Sequence, residues 1–173
     1  MARTYYIRNE DGSVGRTTQL ASVARDNGFV DSYTDEDIVC FGGKQYLASE
    51  VENLPNYMEV NKSEKLSELR SVFSSKKSDA TVMSSLGYEI DAGNQAFIDM
   101  LGQWFIMWRK GVPEASFTDA NNVTHEVTFE QVETIISEII MNGRALYGTK
   151  WAFRDEINAS TTKEELDKID ISI

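Results

Sequence analysis

Hydrophobic and polar positions follow two different periods along this chain, and the change of period divides it. Up to about residue 60 the apolar residues come in short strand-like runs. Runs at residues 3–9 and 13–17 flank Asp11-Gly12, a strong turn signal, and predict an opening hairpin. Thr18 is placed to cap a short helix in which Leu20, Val23 and Ala24 share one face, ending at Gly28. Asp37 to Phe41, the pair Gly42-Gly43, and Lys44 to Leu47 predict a second hairpin. A helical turn over Ala48 to Asn53 should stop before Pro55, because proline biases the preceding residue away from helix.

From Asn61 the helical period takes over. Leu66, Leu69, Val72 and Phe73 predict an amphipathic helix of about 15 residues. Ser74-Ser75-Lys76-Lys77-Ser78 should fray it into a linker. Such a helix either docks on its own domain or meets copies of itself, and a connecting role is the preferred reading because sustained heptads are absent. A short strand around Tyr88–Asp91 then precedes a helix from about Asn94 to Lys110, ended by Pro113. That helix carries Phe97, Ile98, Leu101, Trp104, Phe105, Met107 and Trp108, too many large apolar groups for one narrow stripe. It should be buried on several sides, partly by another chain.

Ala115 to Thr118 and Val123 to Val127, around Asn121-Asn122, predict a hairpin with an Asx-type turn. Thr128 with Gln131 forms a capping box that opens a helix carrying Val132, Ile135, Ile136, Ile139 and Ile140. Gly143 should weaken that helix, and Gly148 should separate it from the next. Thr162 with Glu165 is a second capping box, for a last short helix ending near Ile169. The expected class is α+β, with a small hairpin-helix-hairpin unit over residues 1–60, an amphipathic helix and linker over 61–79, and a mainly helical domain with a short hairpin over 80–173.

Charge changes the picture in one respect. The net charge is −11, distributed as −5 over residues 1–60, +2 over 61–79 and −8 over 80–173. Acidic surfaces repel phosphates, so nucleic acid is not an expected partner. No apolar run is long enough to span a bilayer, and the start of the chain lacks the apolar core of a signal peptide, so no membrane partner is expected either.

Candidate chemistry is sparse. Cys40 is the only cysteine and lies in the apolar run Ile38–Phe41, where a buried, inert thiol is expected. His125 is the only histidine and is expected on the exposed face of a hairpin; one histidine cannot build a multi-histidine metal site. Asp35-Glu36-Asp37 is the densest acid cluster but lacks the spacing of a calcium loop. In Thr18–Asp37 the first helix suits a helix-turn-helix, while its successor is too acidic to face phosphates. No catalytic residue, metal site or cofactor is therefore expected.

The second half of the chain resembles an uncharacterised domain family carried by tailed phages and prophages, often near or within tail-fibre genes. The resemblance is carried by Gly87-Tyr88-Glu89-Ile90-Asp91, Thr118-Asp119-Ala120-Asn121-Asn122, Thr128-Phe129-Glu130-Gln131 and, most specifically, the phrase from Ile157 to Leu166. It covers roughly residues 80–170, and the helix from Phe97 to Trp108 is more aromatic than the family pattern. In that closing phrase Trp151, Ile157, Leu166 and Ile169 read as core anchors. The resemblance implies a phage setting; with the absence of a catalytic cluster and the aromatic helix, the expected protein is a non-enzymatic structural or assembly component of the virion tail or tail fibre, located in the virion or in host cytoplasm during assembly. Its partners would be tail or tail-fibre proteins and further copies of itself; independently of the resemblance, the aromatic richness of the helix offers Phe97, Trp104, Phe105 and Trp108 as core or interface residues. The alternative is an acidic inhibitor that imitates DNA against a host defence or DNA-binding protein.

Overall fold

The structure, a computed structural model, describes residues 3–173; Met1 and Ala2 lie outside the described residues. Two units emerge, Met1–Ser63 and Glu64–Ile173. Helices take up 51% and strands 21%, which is the mixed α+β class that the alternation of periods predicts.

The first unit is a five-stranded antiparallel sheet. Its strands are β1 (Thr4–Arg8), β2 (Val14–Thr18), β3 (Tyr33–Thr34), β4 (Ile38–Phe41) and β5 (Lys44–Leu47), in the order β3-β1-β2-β5-β4. Both expected hairpins form, and Val14 opposite Gln45 joins them. In the first turn Asp11 Oδ1 accepts from the Ser13 amide and hydroxyl, and Gly12 takes a left-handed φ of 85°. The short helix α1 (Ala21–Asp26) ends as expected at Gly28, where the Phe29 amide reaches back to the Ala24 carbonyl.

Thr18 does not cap α1, however. Leu20 occupies the cap position, and the Thr18 hydroxyl accepts from the Leu20 amide two residues away, satisfying a turn instead. Nor does a second helix follow α1, since residues 33–34 pair with β1. A 3-10 turn covers Ala48–Asn53, as Pro55 requires.

Helix α2 (Tyr57–Ser78) runs through the serine-lysine segment expected to fray. Leu69 and Phe73 are buried, and Phe73 packs 4.9 Å from the Tyr147 ring, so tertiary burial holds the final turns helical. Docking on its own unit is thus the outcome for this face.

The second unit centres on the packing of α3 (Asn94–Lys110) against α4 (Phe129–Ala159). Two hairpins, β6 (Thr81–Met83) with β7 (Glu89–Asp91) and β8 (Glu114–Thr118) with β9 (Thr124–Thr128), complete its core. Met100 and Met107 from α3 meet Val132, Ile135, Ile136 and Ile139 from α4. Helix α3 ends before Pro113: Gly111, at φ 66°, reverses the chain, and the Val112 amide returns to the Met107 carbonyl.

Both capping boxes are made, at Thr128–Gln131 and Thr162–Glu165, the latter opening α5 (Lys163–Asp167). In contrast, Gly143 and Gly148 neither break nor separate α4, which continues for 31 residues. Each glycine costs about 1 kcal/mol of helix propensity. That cost is overridden because Ile139 before them and Ile157 after them are both buried. Ile157, Leu166 and Ile169 are the expected anchors, whereas Trp151 is 54% exposed.

Candidate functional site

Helix α3 carries two apolar rows one residue out of phase. The inner row is Phe97, Met100, Trp104 and Met107; the outer row is Ile98, Leu101, Phe105 and Trp108. Both follow the spacing of a helix seam, i, i+3, i+7, i+10. The inner row faces α4: Met100 and Met107 are buried, with Phe97 and Trp104 packed partly buried against the same core. The outer row is left in solvent, with Ile98 58%, Leu101 37%, Phe105 53% and Trp108 61% exposed.

The four residues expected at a core or interface therefore divide. Phe97 and Trp104 serve the core, and Phe105 and Trp108 belong to the exposed face. Trp104 links the two rows. Its indole N–H donates to Glu133 Oε1 at 3.0 Å, and its ring stacks between Phe129 at 6.1 Å and Trp108 at 6.0 Å. Phe105 packs against Trp108 too, tilted, with centroids also 6.0 Å apart. The exposed rings are consequently held in place by their neighbours on a regular helix, which lowers the entropy lost when they dock. Chemically, this face can bury apolar area against a complementary surface; it contains no nucleophile or acid-base pair.

A polar cluster built into the second unit has a different purpose. Asp119, 5% exposed, starts the β8–β9 loop; its Oδ1 accepts from the Asn121 and Val123 amides, and its Oδ2 lies 2.9 Å from His125 Nε2. The expected Asx turn is present, yet its side-chain acceptor is Asp119, while Asn122 supplies the left-handed residue at φ 61°. His125 is half-buried rather than freely exposed, because it also stacks at 3.9 Å on Tyr88. The hydrogen bond with His125, followed by those from the backbone, holds the Asp119 carboxyl below its ordinary pKa. Burial, together with the charges of Glu138 and Asp119, raises that of Tyr88.

A second clasp lies near Tyr88. Glu138 of α4 accepts from the Ser84 hydroxyl at 2.6 Å and from the Ser85 amide at 2.8 Å. Burial pushes its carboxyl up, but these bonds outweigh it and the net shift is downward. The Glu138 clasp fastens the β6–β7 loop to α4, while the Asp119 clasp closes the β8–β9 loop and sets His125 against Tyr88. Sequence reasoning placed Glu138 in no role; the only local signal is its polarity on the helix that carries Ile135 and Ile139.

Cys40 is exposed, contrary to the expectation of burial. It lies on β4, an edge strand, opposite Gln45 of β5, and alternation directs successive residues to opposite faces of a sheet only partly covered. The acids at 35–37 line one open cavity beside Thr4, Thr17 and Gln45, but two of them are engaged elsewhere: Asp35 pairs with Arg3 at 3.8 Å and Glu36 accepts from the Ser49 amide. Among the described residues no group of three or more His, Cys, Asp or Glu side chains could hold a metal ion. Among the described residues no helix is long and apolar enough to cross a membrane.

Residues 61–172 match the model of a family described as a domain of unknown function (DUF4376). The chain belongs to that family. The DUF4376 match takes in α2 from Asn61 onward, both rows of α3, the Asp119–His125 clasp and the two capping boxes; the sheet of the first unit lies outside it. No curated protein and no solved structure matches the chain.

Proposed function

We propose that this protein is a non-enzymatic structural or assembly component of a tailed phage, acting through protein–protein contacts in the tail or tail-fibre apparatus. The observation that supports this reading is the outer row of α3, where four large apolar side chains stand in solvent on a rigid helix. Contiguous apolar surface of this kind marks interaction sites. The phage-like phrase from Ile157 to Leu166 supplies the setting, in the virion or in the host cytoplasm during assembly. Its partner is a tail or tail-fibre protein that offers an apolar groove to Ile98, Leu101, Phe105 and Trp108, in the manner of a helix laid into a groove.

The test is co-expression with the tail proteins encoded nearby, together with mass spectrometry of purified particles. The expected result is a stable complex, or presence in the virion, that Phe105→Ser with Trp108→Ser abolishes while the protein stays folded. A monomer that neither joins virions nor binds any tail protein would overturn the proposal.

A further inference from the structure

Seventeen basic residues are scattered over a chain with 28 acidic ones, yet in one groove of the second unit every charged lining residue is a cation. A groove of about 600 Å³ runs between the end of α2, the start of α3 and the middle of α4, and Arg70, Lys77 and Lys150 line it. A smaller apolar pocket of about 220 Å³ adjoins it, sharing Lys77 and Asn94 as lining and adding Arg144 beside Phe97, Ile139 and Leu146. No carboxylate lines either cavity. Among the described residues, none of Arg70, Lys77, Arg144 and Lys150 is paired with an acid. In a protein of net charge −11, four cations gathered without a counter-charge are an anion site by electrostatics.

The cations are also positioned. Lys77 Nζ donates to the Tyr147 hydroxyl at 3.0 Å, and Lys150 Nζ stands 4.2 Å above the Phe73 ring. Asn94 and Gln95, at the start of α3, form another wall of the groove. No side chain caps that helix at Gly93, so its first amides add positive potential to that supplied by the cations. Charge and apolar volume thus lie side by side, within the size range of small-molecule sites.

We propose that these joined cavities bind an organic phosphate, with the phosphate held by Arg70, Lys77 and Lys150 and its apolar or aromatic body in the pocket of Phe97, Ile139 and Leu146. This inference is independent of the proposed contact through α3. Trp151, exposed and 6.0 Å from the Tyr147 ring, provides a fluorescence reporter beside the site.

The experiment titrates the full chain at low salt with adenosine monophosphate, inorganic phosphate and adenosine, reading heat and tryptophan fluorescence, to which Trp104 and Trp108 contribute beside Trp151. Saturable binding of the nucleotide is expected, with inorganic phosphate and adenosine each weaker. Arg70→Gln and Lys150→Gln should each weaken nucleotide binding about tenfold, the cost of one charge-assisted hydrogen bond. Lys110→Gln, outside the groove, should leave it unchanged, and thermal melts of all three variants report folding. Absence of saturable binding by both phosphates, or equal affinity in all three variants, overturns the proposal. Tighter binding of a hexaglutamate peptide than of the nucleotide overturns it too, in favour of an acidic protein segment.

Discussion

Asp119 and His125 close the β8–β9 loop, with the carboxylate 2.9 Å from the imidazole and two loop amides on its other oxygen. Because Asp119 titrates below its ordinary value in the folded protein, the unfolded chain takes up this proton first as pH falls. The stability it contributes is complete above the ordinary carboxylate pKa of about 4 and is lost as pH falls through the lower folded value. Urea midpoints measured from pH 7 to pH 3 should therefore drop, with Asp119→Asn less stable at pH 7 and showing a shallower acid limb. Parallel curves for the two proteins would refute this role for the carboxylate.

The closing helix depends on local bonds that a single substitution removes. Thr162 Oγ1 accepts from the Glu165 amide at 3.2 Å, and Glu165 Oε2 accepts in return from the amides of Thr161 and Thr162. Thr162→Ala should cost about 1 kcal/mol, the usual loss for an N-cap, read as a lowered denaturant midpoint. Thr162→Ser, which retains the acceptor, should recover most of it.

Both capping boxes were legible in sequence because each is complete within four residues, as were the ends of α3 and the three hairpins with recognisable turns. The continuity of α4 was not, since it depends on burial at Ile139 and Ile157 rather than on propensity at Gly143 and Gly148. Strands β3 and β6 were missed, although β7, as short as β6, was found from the apolar alternation of Tyr88 and Ile90. The excess of apolar groups on α3 was legible too. Which of its rows would be buried was not, because Phe97 and Ile98 differ only in helical phase and α4 alone decides between them. The Asp119–His125 pair has a readable half, an acid opening a turn, and a hidden half, the strand register that brings His125 to it.

Two glycines should respond to alanine with opposite signs. Gly148 lies exposed in α4, and a Cβ there would meet nothing within 4 Å. Gly148→Ala should accordingly raise stability by roughly 0.5–1 kcal/mol through helix propensity. At Gly93 a Cβ would lie 2.6 Å from the Ser78 carbonyl oxygen, a backbone atom that cannot rotate away. Gly93→Ala should lower stability by about 1–3 kcal/mol as the end of α2 and the start of α3 are forced apart. Thermal melts of the two variants, compared with the parent, check both signs in one experiment.

Met107 and Trp108 are adjacent in sequence and opposite in consequence. Met107 is 3% exposed in the α3–α4 core, so Met107→Ala should cost about 2–5 kcal/mol by loss of apolar burial and creation of a cavity. Trp108 is the larger side chain, but most of its surface is already in water, and Trp108→Ala should change the stability of the isolated chain by less than about 1 kcal/mol. If the outer row is a docking face, the ranking reverses in the complex. Trp108→Ala then weakens association strongly, as loss of a buried aromatic anchor does, while Met107→Ala acts only through the fraction folded. Measuring unfolding and partner binding on both variants separates these outcomes. A large stability loss on Trp108→Ala in the free protein would show that the outer row belongs to the fold, and would remove it as a docking surface.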